Sequence, residues 1–143
     1  MLTLFLLPDI NLRLRPKILD LRPGTRVATN TFDFANWEAD KKFEVPPPEC
    51  TAHCWALYWM VPAKVGGTWR IENAELHLEQ AFQMISGTFK SSGVISTTNG
   101  RLRGDEITFT VGESAFRGHV RGDVIEGAGA WVATGARWRA IRS

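Results

Sequence analysis

Cysteine is nearly absent from the chain: Cys50 and Cys54 are the two it has, with His53 between them. Two thiols exclude a disulfide framework and a closed four-ligand zinc site. A metal at this pair needs ligands from elsewhere, and a local disulfide needs an oxidising compartment. Two structural thiols near a loop is the expected state. Excess charge of one sign is also missing, with 17 basic residues against 15 acidic ones. A formal net charge of +2 gives no footprint for nucleic acid. Long hydrophobic runs are missing too. The longest, Trp55 to Ala63, falls far short of the roughly 20 residues that span a bilayer. The apolar start MLTLFLLPDI lacks a basic lead and a small-residue cleavage site, so it reads as a buried strand and not as a signal peptide. The chain as it stands reads as cytoplasmic, with the compartment left open between that and the periplasm.

What is present is enough for a core. Of 143 residues, 44% are hydrophobic and 22% charged, which excludes intrinsic disorder. The length suits one ordinary domain, or a small domain with a fragment. Thirteen Gly, eight Phe and six Trp against one Tyr point to tight turns and a Trp-rich sheet protein.

The first part, residues 1–64, reads as strand, helix, strand. Thr3 to Leu7 is a continuous apolar run ended by Pro8-Asp9. Asn11 is a candidate N-cap for a helix carrying Leu12, Leu14, Ile18, Leu19 and Leu21, stopped by Arg22-Pro23-Gly24. Arg26 to Thr29 is a second strand running into Asn30-Thr31-Phe32-Asp33-Phe34. Residues 38–54 read as a Pro-rich linker, and Trp55 to Val61 as a closing strand.

The second part, residues 65–143, reads as all β. Leu76, Leu78, Gln80, Phe82 and Met84 alternate on one face, with a break at Ser86-Gly87. Asn99-Gly100 is the strongest hairpin signal in the chain. Arg103-Gly104-Asp105 and Arg121-Gly122-Asp123 repeat at 18 residues. They spell an adhesion tripeptide twice, but two hairpin turns explain both at once. An antiparallel meander of about six or seven strands is expected, curled into a small barrel or half-barrel. The fold class is therefore α+β: a partial Rossmann-like α/β segment followed by an antiparallel β meander or small barrel.

Candidate chemistry is sparse. His77 and His119 fall on polar strand faces, where a solvated ring is the default, and no Ser or Cys pairs with a His as in a triad. Trp69, Trp131 and Trp138 suit the core or the closing of a barrel, and a ligand pocket in the barrel mouth is the functional alternative. Arg13, Arg15 and Lys17 suit a solvated helix face. Asp9 and Asn11 follow the first strand, and Asn30 and Asp33 end the second. They are either ordinary capping groups or, if the strands are adjacent and parallel, the walls of one crevice.

The run Leu4 to Lys17, then Leu21 to Val27, resembles the later half of a class I S-adenosylmethionine-dependent methyltransferase, in a bacterial group related to protein-lysine methyltransferases. Phe32-Asp33-Phe34 with Trp37, and Trp59 to Trp69, resemble further segments of that group. So do Phe82 to Gly87, the Gly-Asp repeats and Trp138-Arg139-Ala140. The resemblance implies methyl transfer to a protein or small-molecule nucleophile. It implies Asp9 and Asn11 as catalytic groups, and Leu7, Pro8, Asn30, Asp33 and Trp37 as substrate-binding ones. The family's serine-histidine pair is replaced by Thr29-Asn30. The Gly-rich turn and the acidic strand end that hold the cofactor are not in the sequence. On this resemblance the chain starts where a fourth strand would, lacks the N-terminal cofactor half, and binds no S-adenosylmethionine alone. Its exposed edge at Leu4, Phe5, Leu6 and Leu7 would then pair with a separately encoded half or self-associate. The alternative is a non-enzymatic β-barrel-like binding module for a hydrophobic ligand or a protein partner. Neither reading calls for nucleic acid, a metal or a membrane span.

Overall fold

Alternation governs the chain after Pro62, and alternation builds the larger of two compact units, Pro62–Ser143; the smaller is Met1–Val61. The structure, a computed structural model, describes residues 1–129 and 137–143. Trp131 lies outside the described residues.

Eight strands follow one another in the larger unit: β5 (Gly67–Ile71), β6 (Ala74–Ala81), β7 (Met84–Ser91), β8 (Val94–Arg103), β9 (Glu106–Val111), β10 (Ser114–Arg121), β11 (Val124–Gly129) and β12 (Arg137–Arg142), with β1 to β4 in the smaller unit. Each pairs antiparallel with its sequence neighbour, and β12 returns to β5, so the sheet is a closed barrel. Trp69, Leu76, Leu78, Ile85, Phe89, Leu102, Ile107, Phe109, Phe116, Ile125 and Trp138 point inward as one buried cluster. Side chains fill the interior, as expected of a barrel this small.

Six of the hairpins turn on two residues, and in each the first has positive φ: Glu72, Phe82, Ser92, Gly104, Gly112 and Gly122, between 49° and 62°. That sign matches the twist of the flanking strands. Gly104 and Gly122 are the turns expected from the repeat. Asn99-Gly100 is not a turn: it lies within β8, because a Cβ on Gly100 would sit 2.2 Å from the Thr108 carbonyl oxygen and 2.6 Å from the Phe109 Cβ. Close strand approach, not turn geometry, requires that glycine. The expected break at Ser86-Gly87 also falls inside a strand; the chain reverses at Phe82-Gln83.

One inward row runs Leu102, Ile107, Gly118, Gly127, Trp138 across five strands. The Trp138 indole lies over the two glycines, where a Cβ on Gly127 would meet it at 2.6 Å. It also stands edge-on to Phe109 and Phe116, whose rings stack 5.0 Å apart.

In the smaller unit, β1 (Leu2–Leu4) and β2 (Arg26–Asn30) are parallel and joined by α1 (Pro8–Leu19), while β4 (Trp55–Met60) and β3 (Lys41–Glu44) are antiparallel; the order is β1-β2-β4-β3. The Rossmann-like expectation is thereby corrected. Among the described residues one parallel pair and one helix stand beside strands that otherwise pair antiparallel, and the segment read as a linker carries β3. The sequence signal failed because a single strand-helix-strand unit fits a repeated α/β sheet and an isolated crossover alike. Asn11 lies inside the helix, whose N-cap is Leu7 with Pro8 at N1, the position where a missing amide costs least. Phe34, Trp37 and Trp59 form the aromatic core of this unit, and the Trp59 Nε1 donates to the Trp37 carbonyl at 2.9 Å. Cys50 and Cys54 are joined as a disulfide, which corrects the expectation of two thiols.

Glycine spacing generates a contrast. Gly127→Ala should destabilise by about 3 kcal/mol, at the upper end of overpacking costs. Gly112→Ala, in open space at φ 58°, should cost about 1 kcal/mol from left-handed backbone alone. Urea denaturation of both variants checks this, and equal costs would refute the packing role given to Trp138.

Candidate functional site

The residues expected at strand ends divide between scaffold and surface. Asn11 is fully buried, and its Nδ2 donates to the carbonyls of Phe32 and Asp33, both at 3.2 Å. One turn later Arg15 donates to the Phe34 carbonyl at 3.0 Å and to Asn36 Oδ1 at 2.7 Å. Helix α1 thus clamps the segment that follows β2, and Arg15 is held by protein groups. Asn11 Oδ1 is buried with no hydrogen-bond partner. Asp33 Oδ1 accepts from the Ala35 amide at 3.0 Å, an Asx turn. Asn30 Oδ1 accepts from the Thr31 hydroxyl at 2.8 Å. Trp37 is fully buried. Leu7 is 63% exposed, and Asp9 and Pro8 are exposed beside it. Asn11 and Asp33 are therefore brought together, through the Asp33 backbone, while Asp9 stands apart on the surface.

His53, in the loop that the disulfide closes, has φ 54° and lays its ring against Phe5 at 5.6 Å and Phe32 at 6.0 Å. His77 shares a hydrogen bond of 3.2 Å with the Thr68 hydroxyl, and His119 lies 3.8 Å from Asp105; both are on the outer barrel face. Among the described residues no group of three His, Cys, Asp or Glu side chains is placed to hold a metal. No helix among them is long and apolar enough to cross a membrane.

Two clefts open on the outer face of the barrel. Strand register sets two outward rows side by side. The first runs Met84, Arg101, Thr108, Arg117, Ala128, Arg137, and the second Ser86, Asn99, Thr110, Ala115. Between them lies a cleft of about 600 Å³ whose floor includes Gly100, Phe109 and Phe116. A second cleft of about 690 Å³ is lined by His119, Arg121, Glu126, Arg137 and Arg139, and the two share Ala128 as a lining residue. Glycine at 100 and alanines at 115 and 128 leave the floor low, while methionine and arginine raise the rim. Arg117 pairs with Glu106 at 2.8 Å and Arg139 with Glu126 at 3.5 Å.

Comparison with protein-family models, with curated proteins and with solved structures returns no match. The methyltransferase resemblance is corrected on that ground and on the fold. Short segments such as Leu-Leu-Pro or Val-Pro-Ala recur by composition, and an ordered series of them is weaker than it looks when no one segment carries a glycine turn or a ligand set.

The clamp reading of Asn11 is testable. Asn11→Ala leaves two loop carbonyls short of a donor and should cost about 2 kcal/mol. Asp9→Ala should stay within about 0.5 kcal/mol. Urea denaturation of each variant decides, and a larger loss for Asp9→Ala would overturn the assignment.

Proposed function

We propose that the chain is a non-enzymatic binding module that takes its ligand on the outer face of the barrel. The observation that supports this most is the contrast between inside and outside. Trp69, Phe109, Phe116 and Trp138 pack together in the buried cluster of the interior, whereas the outer cleft is open and has Thr108, Ala115 and Ala128 among its lining residues. A cleft of this size matches the volumes that small ligands and short peptide segments fill. The two outer histidines stand apart on this face, His77 beside the Thr68 hydroxyl and His119 3.8 Å from Asp105, and no third group that would orient either ring is placed beside them among the described contacts. The Cys50–Cys54 disulfide suits an oxidising compartment, and we place the module in one.

Two measurements follow. Nile red, a neutral apolar dye, should bind saturably, with its affinity falling about tenfold in Ala115→Trp and Ala128→Trp. Val94→Ser, at an exposed apolar position away from the cleft, should leave it unchanged. Loss in Val94→Ser with retention in both cleft variants would overturn the reading. Alkylation with iodoacetamide should label neither cysteine until a reductant is added; immediate labelling of both would remove the compartment assignment.

A further inference from the structure

The Cys50–Cys54 bridge spans a sequence separation of 4, inside the connection from β3 to β4. A cross-link that closes so short a loop constrains the unfolded chain least. The hairpin does not need it for closure. The Val45 amide donates to the Cys54 carbonyl at 2.9 Å, one step beyond both strands, and this main-chain bond already holds the base of the connection. Both cysteines are half-buried, and Glu49, Thr51, Ala52 and His53 around them are exposed. Bridges in accessible surface loops are the ones that exchange with thiols.

The two sulfurs differ in how they are anchored. Cys54 is tied through its carbonyl to Val45 and directly precedes β4. Cys50 follows Pro46, Pro47, Pro48 and Glu49, and no main-chain hydrogen bond anchors it among the described contacts. Cys50 is thus the sulfur that can carry a bound thiol away from the sheet. Between the two, His53 is held at φ 54°, in the left-handed region that disfavours a residue with a side chain. Its ring stands edge-on to Phe5 at 5.6 Å and lies 6.0 Å from Phe32. The bridge keeps the Cα atoms of Cys50 and Cys54 5.7 Å apart across this residue. Opening it removes the restraint that holds His53 in that conformation.

We propose that the bridge is a redox modification site: a dithiol opens it at Cys50, and the opening releases His53 from Phe5 and Phe32. One thiolate of the dithiol attacks the Cys50 sulfur, the Cys50–Cys54 bond breaks, and Cys54 leaves as a thiolate. The second thiolate attacks the dithiol's sulfur in the mixed disulfide, and Cys50 leaves in turn. The dithiol ends as a disulfide, oxidised by two electrons; Cys50 and Cys54 take up those electrons and the two protons that the dithiol gave up. The event changes the state of the chain and turns over no substrate, so it goes beyond the binding reading and does not depend on the barrel cleft.

The test uses the full chain and dithiothreitol as the dithiol. Without denaturant, both cysteines should become reactive to maleimide, read by mass, with the amide NMR signals of β5 to β12 unmoved. The ring-proton signals of His53 should lose the ring-current shift imposed by Phe5 and Phe32, while those of His77 and His119 stay in place. Cys54→Ser, which leaves Cys50, should form a mixed disulfide with oxidised glutathione about tenfold faster than Cys50→Ser, which leaves Cys54. Equal rates, or a faster Cys54, would overturn the choice of Cys50. Reduction that requires urea would make the bridge a structural one and overturn the proposal, as would His53 signals that stay put once the bridge is open.

Discussion

The larger unit depends on the closure of its ring, and the closing contact is the sparsest in it. Strands β12 and β5 pair at only two positions, Ile141 with Arg70 and Arg142 with Trp69. Arg142 reinforces that seam. Its guanidinium lies 4.4 Å from the centre of the Trp69 ring, and it donates to the Gly66 carbonyl at 2.6 Å, the Lys64 carbonyl at 2.8 Å and Asp123 at 2.8 Å. Charge-assisted hydrogen bonds contribute about 1.5–3 kcal/mol each when shielded, and with the side chain 27% exposed the lower end applies. Joining the two ends of a meander of this length costs roughly 4 kcal/mol in loop-closure entropy. One arginine with three acceptors and an aromatic face is of the size needed to offset that. Gln80 adds a second tie on the same side, bridging Val65, Ala63 and Phe82.

Closure fixes the rest. A closed sheet of eight short strands must bend sharply, and the bends fall where side chains are smallest. Gly100, Gly118 and Gly127 allow neighbouring backbones and the Trp138 indole to approach distances that any Cβ would block. Trp138 then fills the space the glycines leave, so interior volume is supplied from one strand and surrendered by two others. The same economy of side chains shapes the outside. With no bulk on the floor at Gly100, Ala115 and Ala128, the flanking methionine and arginines stand above a trough.

Much of this was legible in the sequence, and the misses have physical causes. The Gly-Asp turns at 104 and 122 were readable because glycine at the first turn position removes the penalty for positive φ. The inward face of β6 followed from alternation through Leu76 and Leu78. The turns at Phe82 and Ser92 were hidden because both residues adopt positive φ without the usual residue type, held there by the ladders on either side. Asn99-Gly100 misled for the converse reason: a glycine required by close strand approach looks like one required by a turn. The strand-helix-strand opening was visible, but one crossover cannot tell a parallel sheet from a single parallel pair. Asn11 was read as an N-cap and, by resemblance, as a catalytic group; it lies inside α1 instead, and its burial against two loop carbonyls is something no spacing reveals. The outer arginine row was within reach. Counting back from the turns at Gly104, Gly112 and Gly122 aligns Arg101, Thr108, Arg117 and Ala128, and only Arg137, beyond a longer connection, needed the structure.

A closed barrel and an open-edged sheet recognise partners by different physics, and this chain contains both. The unit formed by β1 to β4 ends in edge strands, whose free amides and carbonyls attract any extended chain with little regard to sequence. The barrel has removed every such edge. What it presents instead is outward side chains set at intervals by strand spacing. Interior packing makes those intervals rigid, because Trp138, Phe109 and Phe116 leave the strands beneath the arginine row nothing to collapse into. The packed cluster inside the barrel therefore holds the strands, and with them the outward rows, at fixed spacing.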